Sequence, residues 1–169
     1  MIRSTHVTVP IIAIWLIASC AQQQAPEPRD LVNDPFLEEQ SELKEAVHSI
    51  VRDAETANLE GLKDIHLVSD KFTKFGPRNF ERQGVQRTNE SELAFFGTVT
   101  NYKEKVDGLK VDVFGDVGIA TYYREVSYIE DSVERSGNLR QTLVFVKTAD
   151  GWKIVHEHGT RPQKPPGGS

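Results

Sequence analysis

The stretch Asp150–Thr160, "DGWKIVHEHGT", lies near the end of a 169-residue chain. The turn Thr148-Ala149-Asp150-Gly151 stands between the β-prone runs "QTLVFVK" and "WKIVHEH". Two such runs around a short Asp-Gly turn specify a β-hairpin. On a regular strand, side chains alternate between faces. His156 and His158 then share one face and Glu157 takes the other. Register across the turn decides which of them meets the interior, and the sequence leaves that register open.

Upstream of this hairpin the chain is also rich in strand formers. Leu109, Val111 and Val113 alternate with Lys110 and Asp112, a period of two. "FGD" is a turn, "VGIATYYREVSYI" a further strand carrying Tyr122, Tyr123 and Tyr128, and "SGN" a second turn. Helices precede the strands. Asp34 before Pro35 predicts an N-cap with proline at the first helical position. Leu43, Ala46, Val47, Ile50, Val51 and Ala54 then form one apolar stripe at helical spacing. Asn58 caps a second, short helix with Leu59, Leu62 and Ile65, and Gly76-Pro77 breaks the chain. Asn89 with Glu92 has the spacing of a capping box and predicts a third helix over Leu93–Phe96. Helices first and antiparallel strands after define an α+β domain, with the helices packed on one face of a curved sheet.

This order, closing on "DGWKIVHEH", resembles the nuclear-transport-factor-2-like superfamily in its SnoaL-like branch. "FGDVGIATYY" is similar to that family's aspartate turn followed by a strand. "DGWKIVHEHGT" resembles its terminal signature, which is also found in the association domain of calmodulin-dependent kinase II. The resemblance covers about residues 35–161. It implies a cone-shaped, curved antiparallel sheet with the N-terminal helices on its concave face, a deep pocket between sheet and helices, and a homodimer formed through the sheet. Members include isomerases, dehydratases, cyclases, carriers and scaffolds, so the fold leaves the function open. In ketosteroid-isomerase members an aspartate base precedes a proline after the second helix. Here Gly76 precedes Pro77, and "LVFVKTADGW" offers no counterpart to the second acidic group of that site. Proton abstraction of that kind lacks both of its residues, and the ketosteroid-isomerase reading is rejected.

Three chemistries compete with plain structural roles. A zinc ion on His156 and His158 needs a third ligand, from His66 or Asp70. The family carries the motif without metal, so neither metal nor cofactor is expected. Acid–base catalysis would use His156 or His158, oriented by Asp70 or Glu157, with Tyr122 or Tyr128 as donor to an oxyanion. A ligand site would draw on Arg140, Thr142, Tyr128 and His158, and Arg124 sits among the tyrosines. Against these stand plain roles: histidines bonding neighbouring strands, a surface arginine paired with one of many acids, aromatics forming a core. Trp152, Phe145, Phe95, Phe96, Phe72 and Phe75 are read first as that core. The irregular stretch "HLVSDKFTKFGPRNFERQG" is expected near the pocket mouth, as a lid or a plug.

The formal charge is -5, with no run of lysine or arginine, which argues against nucleic acid as a partner. Cys20 is the only cysteine, so no internal disulfide can form. It follows a short positive start, the apolar run "VTVPIIAIWLIA" and the small residues Ala18 and Ser19. This has the shape of a secretory signal and resembles a bacterial lipobox, which implies cleavage before Cys20 and a lipid on it. The expected organisation is a signal peptide over 1–19, a flexible tether over 20–33, the SnoaL-like domain over 34–161 and a disordered tail over 162–169. The expected location is the bacterial cell envelope, lipid-anchored. Ala21 in place of an aspartate after the cysteine points to an outer membrane, facing the periplasm, where the source has two membranes. Three functions follow: a membrane-anchored pocket binding a small molecule or a partner; an isomerase, dehydratase or hydrolase with a pocket His/Asp pair; or an oligomerisation scaffold.

Overall fold

The computed structural model describes residues 29–77 and 79–162. The leader, Cys20, most of the tether and nearly all of the tail lie outside the described residues. Among the described residues three helices, α1 (Leu37–Glu55), α2 (Leu59–Asp64) and α3 (Val85–Thr98), accompany five strands. The strands are β1 (Thr73–Phe75), β2 (Val99–Phe114), β3 (Val117–Glu130), β4 (Val133–Thr148) and β5 (Gly151–Thr160), in sheet order β1-β5-β4-β3-β2. The fold is α+β, with the N-terminal helices packed on a five-stranded, mostly antiparallel sheet. β1 is the exception: it joins the edge in parallel with β5, Lys74 standing opposite Glu157. A strand inside the irregular stretch was not expected, because three residues carry too little periodicity to register.

The stripe on α1 behaves as its spacing predicts. Leu43, Val47 and Ala54 are buried, and Ile50 packs beside them. Leu43 reaches the sheet because residue 118 is glycine; a Cβ there would collide with it. The start of α1 differs from expectation by two residues. Phe36 turns left-handed (φ 44°) and sinks its ring into the core, so the helix begins only at Leu37. Asp34 still works as a local cap, accepting the Phe36 N–H at 3.0 Å. Residues 29–33, read as tether, instead form a turn on Asp30, and the Arg29 guanidinium lies over the Phe36 ring, 4.1 Å from its centre. Asn58 caps α2 as predicted, accepting the Gly61 N–H. "FGD" and the Thr148–Gly151 turn close hairpins where expected. "SGN" does not: β4 runs straight through it, and the turn falls at Asp131-Ser132, both with positive φ.

Three β-bulges set the side-chain parity. Two lie on β2, at the steps Thr100/Lys103 and Asp107/Lys110, where Asn101 and Gly108 take positive φ. Each inserts one residue and sharpens local bending and twist. The third is on β5: Val144 pairs with His156 while the next residue, Phe145, pairs with Ile154. Val155 is the extra residue. Trp152 and Ile154 point inward before it; Glu157 and Gly159 point inward after it. Without the bulge, the same alternation would carry the two histidines inside.

Candidate functional site

A cavity of about 290 Å³ opens between the helices and the sheet. Its long wall is the inward face of β4: Leu143, Gln141, Leu139 and Gly137. From Leu143 to Gly137 that wall covers roughly 20 Å at about 3.3 Å per residue. Charge gathers at the Leu143 end, where Glu157 of β5 is the neighbour across the ladder. Toward Gly137 aromatic and aliphatic groups surround a second ion pair, Arg124 in the row of Leu139 and Glu104 in the row of Gly137.

At the charged end the Lys74 ammonium lies 2.7 Å from Glu92 and 3.1 Å from Glu157. The His66 imidazole is almost fully buried. Its Nδ1 pairs with Asn89 Oδ1 at 2.9 Å, and its Nε2 faces Glu157 at 3.7 Å and Glu92 at 4.0 Å. Since an amide oxygen only accepts, Nδ1 carries the proton in that pair. Gln141 donates to Glu157 (3.2 Å) and accepts from Arg124 (3.1 Å), which links this cluster to the next. Arg124 closes on Glu104 at 2.7 Å and on the Tyr102 hydroxyl at 3.1 Å, and Tyr102 donates to Glu104 at 2.7 Å.

Burial alone would strip these groups of charge, and the pairing reverses that. Burial pulls His66 and Lys74 down, but the carboxylates of Glu157 and Glu92 outweigh it and raise both above their ordinary values. Burial pushes Glu157 up, and Lys74 with His66 overrides it, holding the carboxyl well below the usual range. Arg124 is raised for the same reason by Glu104. Burial raises the Tyr102 and Tyr122 hydroxyls far above the usual phenol value. Pairing therefore favours the charged forms of Glu157, Lys74, Arg124 and His66.

Helix α3 explains how one segment serves both ends. Asn89, Glu92 and Phe96 recur at spacings of three and four, one face of a helix. Asn89 and Glu92 meet His66 and Lys74, while Phe95 and Phe96 reach the aromatic end. There Phe95 packs edge-on against Tyr128 at 5.2 Å, and Phe96 against Tyr102 at 5.3 Å. The Asn89–Glu92 pair was read as a capping box. It sits inside α3, whose cap is Gly84, so both side chains are free for the site.

The residues singled out from the sequence divide sharply. Tyr122 and Tyr128 line the cavity, as does Arg124. His156 and His158 do not; they occupy the opposite sheet face with Phe75, their ring centres 6.1 and 6.0 Å from its own. His156 Nδ1 bonds the Thr73 hydroxyl at 2.8 Å, the structural role weighed for it above. Thr142 pairs with His158 on that outer face. Arg140 and Asp70 are exposed and outside the cavity lining. Sequence reading passed over Lys74 and Gln141, and gave Glu92, Asn89 and Glu104 no place in the site. Phe95 and Phe96 line the cavity, Phe72, Phe145 and Trp152 form the core, and Phe75 is partly exposed. The stretch expected at the pocket mouth contributes Lys74, Gly76, Pro77, Asn79 and Gln83 to the wall.

His66, Glu92 and Glu157 place one potential metal-ligand atom each within 4.8 Å of one another. The Lys74 ammonium already occupies the space between the two carboxylates, and a divalent ion would have to displace it. The donor set suits a lysine better than a metal.

A model of the SnoaL-like domain matches residues 43–162, and the chain belongs to that family. Among curated proteins, none matches significantly. Solved structures do. A nuclear transport factor 2-like superfamily protein from Salmonella enterica serovar Typhimurium aligns at TM-score 0.70 and 20% identity, over 79% of this chain and 97% of that one. A nuclear transport factor 2-like protein from Pseudomonas putida gives 0.66 and 17%, over 76% and 90%. A ketosteroid isomerase-like protein from Erwinia carotovora gives 0.63 and 16%, over 76% and 100%. At such identities the likeness concerns the fold.

Proposed function

We propose that the chain is an envelope lipoprotein, anchored through a lipidated Cys20, whose SnoaL-like domain binds a small molecule. The carrying observation is the cavity of about 290 Å³, lined by aromatic and aliphatic side chains together with two sets of ion-paired groups, Lys74 with Glu92 and Glu157, and Arg124 with Glu104. That combination characterises small-molecule sites. A scaffold would need no such space. Isothermal titration calorimetry with small aromatic alcohols and ketones tests the binding: the protein takes up at least one of them, and a Leu139→Trp variant, which fills the cavity, loses it. Uptake unchanged by that variant contradicts the reading. The anchor has a separate test, since Cys20→Ser abolishes lipid labelling and membrane retention; persistence of both contradicts it. The anchor places the domain on an outer membrane facing the periplasm where the source has two membranes. Two copies pair through the outer sheet face, which light scattering reads as a doubled mass.

A second reading rests on His66. Its Nδ1 is engaged by Asn89, its Nε2 faces the carboxylates at 3.7 and 4.0 Å, and it lines the cavity. Those gaps exceed a hydrogen bond, so a substrate oxygen brought to Nε2 would find a proton donor. Glu157 and Glu92 favour the protonated, donating form of that ring. On this reading acid catalysis, of the isomerase, dehydratase or hydrolase kind, would fall to His66 rather than to His156 or His158. The wall at Gly76-Pro77 offers no carboxylate base, so the ketosteroid-isomerase route stays rejected. The likeness to an isomerase-like structure lends the fold and no residues. His66→Gln that keeps ligand affinity and abolishes turnover supports this reading; turnover at the original rate refutes it.

A further inference from the structure

Exposed apolar side chains gather at one end of the molecule. Phe114 and Val117 face each other across the turn that joins β2 to β3, and both are exposed. Leu31 lies against that turn, where a Cβ on Gly115 would meet it at 3.3 Å. Its neighbour Val32 is 81% exposed, and Leu37, which opens α1, is 73% exposed. α1 starts at this end, because Leu43 packs on Gly118, next to Val117. Leu31 and Val32 are held in place by the turn around them. The Asp30 carboxylate accepts the Val32 and Asn33 N–H groups at 3.1 and 3.0 Å. A contiguous apolar patch on an ordered surface marks an interaction site, whereas single exposed apolar residues do not.

The chain that leads into the domain says what covers the patch. Cys20 precedes Arg29 by nine residues, which span at most about 30 Å. Arg29 is itself fixed at this end, over the Phe36 ring. β3 runs from Val117 to Glu130, roughly 40 Å away from it. A lipid on Cys20 therefore holds the patch close to the bilayer and leaves the Val133 end free to point away. The cavity wall begins at Leu143, opposite Ala120, and runs away from the patch to Gly137. Charge selects the kind of surface. Arg29 answers Asp34 and Glu39, and Lys147 answers Glu42. Asp30, Glu38 and Asp116 add negative charge at exposed positions around the patch. An anionic surface would repel them.

Resting on the lipoprotein reading of Cys20, we infer that Leu31, Val32, Leu37, Phe114 and Val117 enter a zwitterionic lipid surface beside the anchor and seat the domain with this end down. Apolar groups seated in this way lie about 5–10 Å into the headgroup boundary, within reach of quenchers on the acyl chains. The lipidated chain is reconstituted in phosphatidylcholine vesicles whose acyl chains are brominated. In parallel the chain from Cys20 onward, which holds every described residue, is made without lipid and coupled through its only thiol to a maleimide lipid in the same vesicles. Tryptophan emission is read in Val32→Trp and Val133→Trp, with the unsubstituted chain subtracted for Trp152. Val32→Trp is expected to lose about half its emission or more, and Val133→Trp less than about a tenth. Adding Leu37→Asp to Val32→Trp should cut the quenching about twofold or more. Adding phosphatidylglycerol at low salt should also reduce it, and salt should restore it. No quenching of Val32→Trp in the coupled chain, or equal quenching of Val133→Trp, overturns the inference and leaves the anchor untouched. Stronger quenching on phosphatidylglycerol overturns the zwitterionic surface. A blue shift of Val32→Trp without vesicles, growing with protein concentration, assigns the patch to a second copy and overturns it as well. Absence of lipid on natively made Cys20 sinks the anchor reading, and the coupled chain still decides the inference.

Discussion

The two faces of β5 carry the same chemical vocabulary to opposite ends. On the inner face Glu157 packs against Lys74 and His66, the Lys74 ammonium is held between two carboxylates, and the group borders a cavity. On the outer face His156 and His158 stand in partial solvent beside Phe75, and His156 is held by one hydroxyl. The residue between them, Val155, makes the difference, because it is the extra residue of a bulge. Which titratable side chain of this strand meets the cavity therefore follows from a backbone insertion and not from which residues are present. A bulge beside a cavity, re-aiming one side chain, is a known use of that irregularity.

The comparison can be broken most severely by removing the bulge. Deleting Val155 should restore regular pairing, pull Glu157 off Lys74 and His66, and destabilise the fold by about 4 kcal/mol or more, read from urea unfolding. A deletion costing less than about 1 kcal/mol would mean that the bulge does not set the face. Next in size is Lys74→Met, which leaves Glu92 and Glu157 facing each other without their cation. We expect a loss of about 3–5 kcal/mol in the same assay. The inner face should also answer to pH. His66 has a folded pKa raised above 6.5, so its stabilisation is complete below that value and disappears as pH rises through the folded pKa. Glu157 has a folded pKa depressed below 4.5, so its contribution is present above that value and lost as pH falls through the folded pKa. Stability should peak between about pH 5 and 6.5, and His66→Gln should flatten the alkaline side of that peak. The smallest effects belong to the outer face: about 1 kcal/mol for His156→Ala, which loses its bond to Thr73, and within about 0.5 kcal/mol for His158→Ala.

Much of the architecture was legible because it rests on periodicity. The α1 stripe, the Asn58 cap and the hairpin at Asp150-Gly151 are local signals that the fold did not override. The candidate site was less legible, for a physical reason. Its members come from α2's end, β1, α3, β2, β3, β4 and β5, and they converge only after register is set. Alternation alone put the histidines together and Glu157 opposite, which holds. It could not say which face was inside, because a bulge in "KIVHEH" has no local marker. Gly108, in a run otherwise suited to a strand, was a readable sign of bulging on β2. Asn89 and Glu92 misled because capping spacing and same-face helical spacing coincide at three residues.

The central claim is that His66, and not His156 or His158, stands at the polar end of the binding cavity. Histidine-selective isotope labelling makes each imidazole visible by NMR, and 2-naphthol can be titrated into the labelled chain. The account predicts that the His66 signals move in step with binding while those of His156 and His158 stay in place. Movement of His156 or His158 with a stationary His66 would contradict it.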